Sequence, residues 1–443
     1  MKPDYRKIHS RFKLNGIAYS RDDLKEVACS LVKEGEPFEK ALGAFLLDWL
    51  DDRPTCKVQT SGSTGRPKPI RLQKQYMVNS ALATGDFFGL RPGDSALLCL
   101  PTDYIAGKMM LVRAMALGLE LDYVPPASDP LADVSKAYDF CAMVPLQLEN
   151  SLDALGQVKI LIVGGTPLSA NLKVQVRAQA GPQSWKLQRQ SPKTESAIPS
   201  RNRLFATAVF ETYGMTETIT HVAVKRVDSS NFLEVEDAKL GTTKDVGPSL
   251  RRQQIGVAED GEAETSKDFR ASLPRRLTET GKDGEIGNPF RPENKFIALP
   301  DITFSTDDRG CLIIEAPKIA DAPVVTNDMV NLVSKTEFEW LGRYDNVINS
   351  GGIKLFPEQI EAKLSPMISS RFFIAGISDK KLGQKLVLVV EGEINKASLF
   401  QEIKSIRGLQ KFEVPKEIYQ IPEFYETDTG KIQRKKTLTS VDE

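Results

Sequence analysis

Short apolar runs ending in glycine or proline, separated by stretches of helical length, constrain this chain more than any other feature. Ser95–Leu100 (SALLCL) and Val158–Val163 (VKILIV) have the length and continuity of buried strands. Gln75–Phe88 and Lys108–Leu117 are helix-compatible and lie between such runs. Alternation of this kind predicts an α/β fold, with a large multi-layer domain at the amino terminus. Val158–Val163 runs into Gly164-Gly165-Thr166-Pro167 and then a polar helix start. That order puts a loop at the carboxyl end of a strand, where α/β sheets bind ligands.

At 443 residues the chain exceeds what one hydrophobic core supports, so a further domain is expected. It is expected to begin just past Gly342, giving domains of 1–343 and 344–443. The second holds a turn (NSGGIK), a helix candidate at Pro357–Leu364, an apolar strand at Leu386–Gly392 and a helix at Lys396–Ile406, the make-up of a small α+β lid. Gly181–Arg203 and Ser229–Glu293 are polar, rich in turn formers and without periodicity, and read as loop insertions.

Charge excludes some partners. Lys+Arg and Asp+Glu both number 59, so no global field draws nucleic acid or an anionic membrane. No run of about 18 apolar residues is present, so no membrane-spanning helix is expected, and the charged start lacks a signal-peptide core. Five scattered cysteines without a CxxC pair fit a reducing cytoplasm. Two histidines, His9 and His221, argue against a histidine-rich metal centre. Monomer and homodimer both stay open.

Two segments carry the chemistry. Thr60-Ser61-Gly62-Ser63-Thr64-Gly65-Arg66-Pro67-Lys68 follows a strand-like CKVQ. Small hydroxyls and glycines let backbone N–H groups close on phosphate oxygens, and Lys68 adds a point charge. Pro69 after Lys68 and the glycine spacing distinguish it from a Walker loop. A solvated Ser/Gly turn is the plainer account of a generic loop of this kind, but the weaker one for so dense a run. The second segment is Glu211-Thr212-Tyr213-Gly214-Met215-Thr216-Glu217-Thr218. Tyr213 offers a flat face to a base, Gly214 allows close backbone approach, Thr216 can bond a phosphate, and Glu217 is a hard oxygen ligand suited to Mg²⁺. Alone it reads equally well as a capped helix start.

TSGSTGRPK, YGMTE, Thr326-Asn327-Asp328, GRYDNVINSGGIK (Gly342–Lys354) and TDTGKIQR (Thr427–Arg434) stand in the order of the adenylate-forming superfamily, which the chain resembles. That superfamily holds acyl-CoA synthetases, luciferases and peptide-synthetase adenylation domains. Within it, Leu97–Ala114, Ile162–Ser169 and Glu211–Val224 are similar to the o-succinylbenzoate–CoA ligases of menaquinone biosynthesis. The resemblance implies an ATP-dependent acid–thiol ligase using ATP, Mg²⁺ and coenzyme A, which forms an acyl-adenylate and then a thioester. Thr60, Ser61, Gly62, Ser63, Thr64, Gly65 and Lys68 would hold the β- and γ-phosphates. Gly165, Thr166 and Pro167 would border the adenine, with Tyr213 stacked on it and Gly214 and Met215 beside it. Thr216 would touch the α-phosphate and Glu217 the magnesium. Asp328, helped by Arg343, would take the ribose hydroxyls. Lys431 would bridge the α-phosphate and the acid during adenylation. The small domain would turn about Asp345 and bring Gly351 and Gly352 to the pantetheine tunnel. Tyr104, Lys108 and His221 are candidates for the acid pocket, because o-succinylbenzoate carries a carboxylate beyond the reacting one.

The chain departs from the family pattern at three points. Asn327 stands where glycine is frequent, Asn346 replaces a second acidic residue after the hinge aspartate, and the lysine motif lacks its upstream proline. Other readings are a CoA ligase for a different aryl or acyl acid, an enzyme loading a carrier protein, and an inactive relative that binds nucleotide.

Overall fold

The computed structural model describes residues 4–59, 69–180, 205–227, 295–406, 408–426 and 432–439. Strands β1 (Lys13–Leu14) and β2 (Ile17–Ala18) precede helices α1 (Arg21–Glu34) and α2 (Pro37–Leu50). Ser20 caps α1: its hydroxyl accepts from Asp23 N–H and the Asp23 carboxylate accepts from Ser20 N–H. A proline in its first turn starts α2, where the missing N–H costs nothing. Strands β3 (Thr55–Gln59) and β4 (Pro69–Gln73) pair antiparallel, Gln59 opposite Pro69. They bracket the Ser/Gly-rich segment 60–68, which lies outside the described residues.

The expected alternation follows: α3 (Lys74–Phe88), β5 (Ser95–Leu98), α4 (Ile105–Leu117), β6 (Glu120–Tyr123), β7 (Tyr138–Met143), α5 (Pro145–Asn150), β8 (Val158–Val163), α6 (Ala170–Ala180) and β9 (Ala208–Gly214). Antiparallel strands come next: β10 (His221–Arg226), β11 (Phe296–Ala298), β12 (Thr303–Thr306), β13 (Cys311–Glu315), β14 (Val324–Ser334) and β15 (Glu337–Arg343). Among the described residues these join β1 and β2 in one sheet of 13 strands. From β1 through β6, β5, β7 and β8 to β9 neighbouring strands run parallel. From β9 onward through β10, β11, β15, β14, β13 and β12 they run antiparallel.

This change of sense positions the site. The parallel strands β8 and β9 end on the same side, so Gly164–Pro167 and Met215–Glu217 emerge together. Cys141, Leu161, Val163 and Val209 on one face pack among the cluster that includes Leu172 and Val176 of α6. Phe140 and Ala142 on the other face join the core of α2, α3 and α4. Strands buried on both faces need continuous apolar runs, which is why VKILIV does not alternate.

Beyond Asp345 a five-stranded sheet carries its own apolar cores, built from Ile348, Ile360, Leu364, Leu388 and Ile403 on one side and Phe373, Val387, Val389 and Phe424 on the other. The helices expected there are found at Pro357–Leu364 and Lys396–Ser405. The expected insertions 181–203 and 229–293 lie outside the described residues. No helix among the described residues is long and apolar enough to cross a membrane.

Candidate functional site

Of the residues singled out in the sequence, the structure brings one group together at the β9–β14–β15 corner. Tyr213 is half-buried near the end of β9, and its hydroxyl donates to Asp328 Oδ2 at 2.8 Å. Asp328 Oδ1 accepts from Trp340 Nε1 at 3.2 Å, and Arg343 Nη1 lies 3.6 Å from the same oxygen. The register explains the meeting, since Asp328 is paired with Arg343 across β14 and β15. Burial pushes the Tyr213 phenol up, and the facing Asp328 carboxylate adds to that, so it stays a donor. Phe296 and Phe338 pack at 5.6 and 5.1 Å from the Tyr213 ring and fix its plane.

Beside this corner, Gly165, Thr166 and Pro167 form an exposed loop after β8. Both of its ends are tied to β9. Thr212 Oγ1 donates to the Val163 carbonyl at 3.1 Å, and Leu168 N–H donates to Glu211 Oε1 at 2.9 Å. Glu211 is 4% exposed and ion-paired with Lys173 at 3.1 Å and Lys225 at 3.0 Å. Burial alone would raise its carboxyl, but the two lysines outweigh it and hold it below the usual range.

At the tip of β9 only glycine fits at 214, because a Cβ there would stand 2.2 Å from the Thr220 carbonyl oxygen. Thr216–Thr218 make one 3₁₀ turn, in which the Thr218 hydroxyl is spent on Met215 N–H while Glu217 is exposed. Ile219 (φ 66, ψ −59) then turns the chain sharply, with Thr220 N–H on the Thr218 carbonyl at 2.7 Å. A β-branched residue in this conformation is strained. It reverses the chain into β10 and buries His221.

His221 and Arg113 form a second group. His221 Nδ1 lies 3.4 Å from Arg113 Nη2, and Nε2 lies 3.4 Å from Thr84 Oγ1, which donates to the Ser80 carbonyl at 3.0 Å. A guanidinium only donates, so Nδ1 accepts and the ring proton sits on Nε2. Burial, then Arg113, drives the His221 pKa well below its ordinary value, and the ring is neutral. Arg113 is 1% exposed, and burial lowers it to about 9. Among the described residues no carboxylate pairs with it; Nη1 has only the Met110 sulfur at 3.8 Å, and Nε has no partner. His221 also lines a cavity of about 720 Å³, whose charged lining is Asp4, Asp86, Asp301 and Lys318; Arg113 lies behind His221 and is not part of the lining.

Lys108 is not part of that group. Its ammonium donates to the Asp103 carbonyl at 3.0 Å and lies over Phe45 at 5.7 Å. Tyr104 precedes α4 and is 47% exposed. Gly351 and Gly352 are the two central residues of the hairpin between Ser350 and Ile353, with φ of 59 and 84. Such turns demand a positive φ at both positions, which explains both glycines in conformational terms. Lys431 and Thr60–Lys68 lie outside the described residues.

The sequence reading passed over Arg113, Trp340 and the anchoring by Glu211. For Arg113 a signal existed: it is the lone cation in the apolar stretch MMLVRAMAL. Trp340 carried none, since only the β14–β15 register brings it to Asp328.

The family model for AMP-binding enzymes matches residues 30–187. An acyl-CoA synthetase (AMP-forming)/AMP-acid ligase II-like protein from Dyadobacter fermentans is 31% identical, with 94% of this chain and 98% of that one covered and a TM-score of 0.49. The chain belongs to the AMP-forming acyl-CoA synthetase family. The assignment rests on the family match together with the curated relatives. A 2-succinylbenzoate–CoA ligase of Bacillus cereus is 24% identical over 399 residues, covering 87% of this chain and 70% of the relative. O-succinylbenzoate coenzyme A synthetase from Bacillus subtilis, solved with ATP and magnesium ion, is 16% identical with a TM-score of 0.56 over 86% of this chain and 69% of that one. This last likeness shows the adenylate-forming fold.

The residues present suit a magnesium bound through its nucleotide. Among the described residues no cluster of three or more acidic, cysteine or histidine side chains could cage a metal. Magnesium beside a nucleotide is commonly held by one or two carboxylates plus phosphate oxygens, and Glu217, exposed on its short turn, is a carboxylate that would be accessible to one.

Proposed function

We propose that this synthetase activates o-succinylbenzoate with ATP and transfers the acyl group to coenzyme A, a step of menaquinone biosynthesis in the cytoplasm. The observation that carries the acid's identity is Arg113, a buried cation without a carboxylate partner among the described residues, next to a histidine that lines a large cavity. An acid with one carboxylate spends it on the reaction. A second carboxylate that reached past His221 would give Arg113 the charge it lacks. Neutral His221 adds no competing positive charge, and its accepting Nδ1 fixes the plane of the guanidinium. The curated relatives named 2-succinylbenzoate–CoA ligase support the same acid.

The remaining roles follow on this reading. Asp328, already oriented by Tyr213 and Trp340, takes the ribose hydroxyls with Arg343 beside it. Gly165–Pro167 and the Tyr213 ring border the base, Met215 and Gly214 line its edge, and Thr216 donates to the α-phosphate. Thr60–Lys68 grip the outer phosphates. A carboxylate is ionised at neutral pH, so its attack on phosphorus needs no general base. What the site must supply is positive charge and oriented donors, each donor worth roughly 10²–10³ in rate. Magnesium held at Glu217 adds charge neutralisation at the phosphates, and Lys431 brings acid and α-phosphate together. The thiol of coenzyme A, with a pKa near about 8.5, has thiolate enough to react without a histidine base. The boundary falls after Arg343, Asp345 is the pivot, and Gly351–Gly352 face the pantetheine arm.

CoA-dependent AMP production with o-succinylbenzoate, set against benzoate and medium-chain acids, tests this. A clear preference for the diacid is expected. Equal turnover of benzoate would remove the second carboxylate from the account.

A further inference from the structure

Two of the three positions at which the sequence departs from its family's pattern meet the start of the small module. Asn327 Nδ2 donates to Asp345 Oδ2 at 2.5 Å. Asn346 Nδ2 donates to Glu358 Oε1 at 2.6 Å, joining the turn at 344–346 to the helix Pro357–Leu364. Asn327 is itself held. Arg309 donates to Asn327 Oδ1 at 3.0 Å and to the Thr326 carbonyl at 3.2 Å, is paired with Asp307, and lies over the Tyr344 ring at 5.1 Å. The amide therefore has one orientation: its oxygen faces the guanidinium and its NH₂ faces Asp345. Asn327 directly precedes Asp328, and Gln359 of the same helix donates to the carbonyls of Trp340 and Leu341 at 2.9 and 3.2 Å. The strand pair that holds Asp328 is thus bonded to the small module from both β14 and β15.

We infer that Asn327 is a positioning residue, a clasp on Asp345 that holds the small module in the orientation seen here relative to the β14–β15 pair. Glycine at 327 has no side chain to make this bond. With asparagine, the module must break an amide–carboxylate hydrogen bond before Asp345 can turn. The bond lies at an exposed position, so solvent screens it and its effect on an equilibrium is about fivefold. Its consequence for catalysis rests on the ligase reading above; its consequence for orientation does not.

Both consequences can be measured on the full-length protein. In a Cys29→Ser background, spin labels at Glu149→Cys and Glu402→Cys, both exposed, report the distance between the large sheet's helices and the small module. Asn327→Ala and Asn327→Gly are expected to broaden the distance distribution or add a second population. An unchanged distribution in both variants overturns the clasp. In the kinetic arm, pyrophosphate release and thioester formation from supplied o-succinylbenzoyl-adenylate are timed separately. One half-reaction is expected to slow and the ratio of the two rates to move about fivefold. Equal change in both half-reactions overturns it. A wild-type protein that forms no adenylate with any acid would speak against the ligase reading, while the spin-label distances would still decide the clasp.

Discussion

Glu211 and Arg113 are both nearly sealed from solvent, and they are treated in opposite ways. Glu211 is 4% exposed and faces two lysines and a backbone N–H; Arg113 is 1% exposed and faces a neutral imidazole and a thioether. Burying a charge costs several kcal/mol unless partners return it. The Glu211 cluster is answered within the chain and serves as a foundation, tying α6, β9, β10 and the end of the loop Gly165–Pro167. The Arg113 site is incomplete within the described chain, and that incompleteness is what an anionic ligand would relieve. The difference separates a buried charge that the chain itself answers from one that it leaves without a countercharge among the described residues.

The largest effect expected from this contrast is on stability. Glu211→Ala leaves two half-buried lysines without their shared carboxylate and should cost about 3 kcal/mol in urea unfolding. Arg113→Met should leave stability unchanged or raise it by about 1–3 kcal/mol, because a charge without a countercharge is removed. If both variants lose stability equally, the contrast is broken.

Next in size is the effect on substrate use. Arg113→Met should lower kcat/KM for o-succinylbenzoate about 100-fold, about 2.7 kcal/mol, while KM for ATP stays within about twofold. Arg113→Lys should recover part of that loss, as a point charge replaces a fork. A parallel loss with benzoate would assign Arg113 to packing.

The smallest effect is a pH dependence. His221 has a folded pKa well below its ordinary 6.5, so below that value the unfolded chain binds a proton that the folded chain refuses. Its contribution to stability is therefore present above about pH 6.5 and is lost as pH falls below it, by up to about 1.4 kcal/mol per unit. His221→Gln should flatten the stability profile between about pH 7 and 5. An unaltered slope would show that the imidazole takes up a proton in the folded state.

Local pattern made much of this legible. Continuous apolar runs gave β8 to the residue and β5 to within two, because strands buried on both faces admit no polar alternation. Helix-compatible stretches placed α3, α4 and the helix Pro357–Leu364 with ends shifted by three residues at most. The two chemistry-bearing segments pointed to a nucleotide through small hydroxyls, glycines and a carboxylate, and the order of five motifs supplied the resemblance to adenylate-forming enzymes. Long-range register was not legible. Nothing near Trp340 in the chain points to Asp328; the pairing of β14 with β15 brings them together.

The sequence by itself determined the strongest strands and helices, because their apolar pattern is written over a few residues, and its motifs carried the resemblance to a family. Only the tertiary structure decided which buried charges are answered and which are not. Lys108 and Arg113 lie five residues apart in one helix, yet one rests on a carbonyl and a ring at the protein's edge and the other is sealed beside His221. That distinction depends on the face each presents and on what α3 and β10 bring to it, so it exists only once the chain has packed.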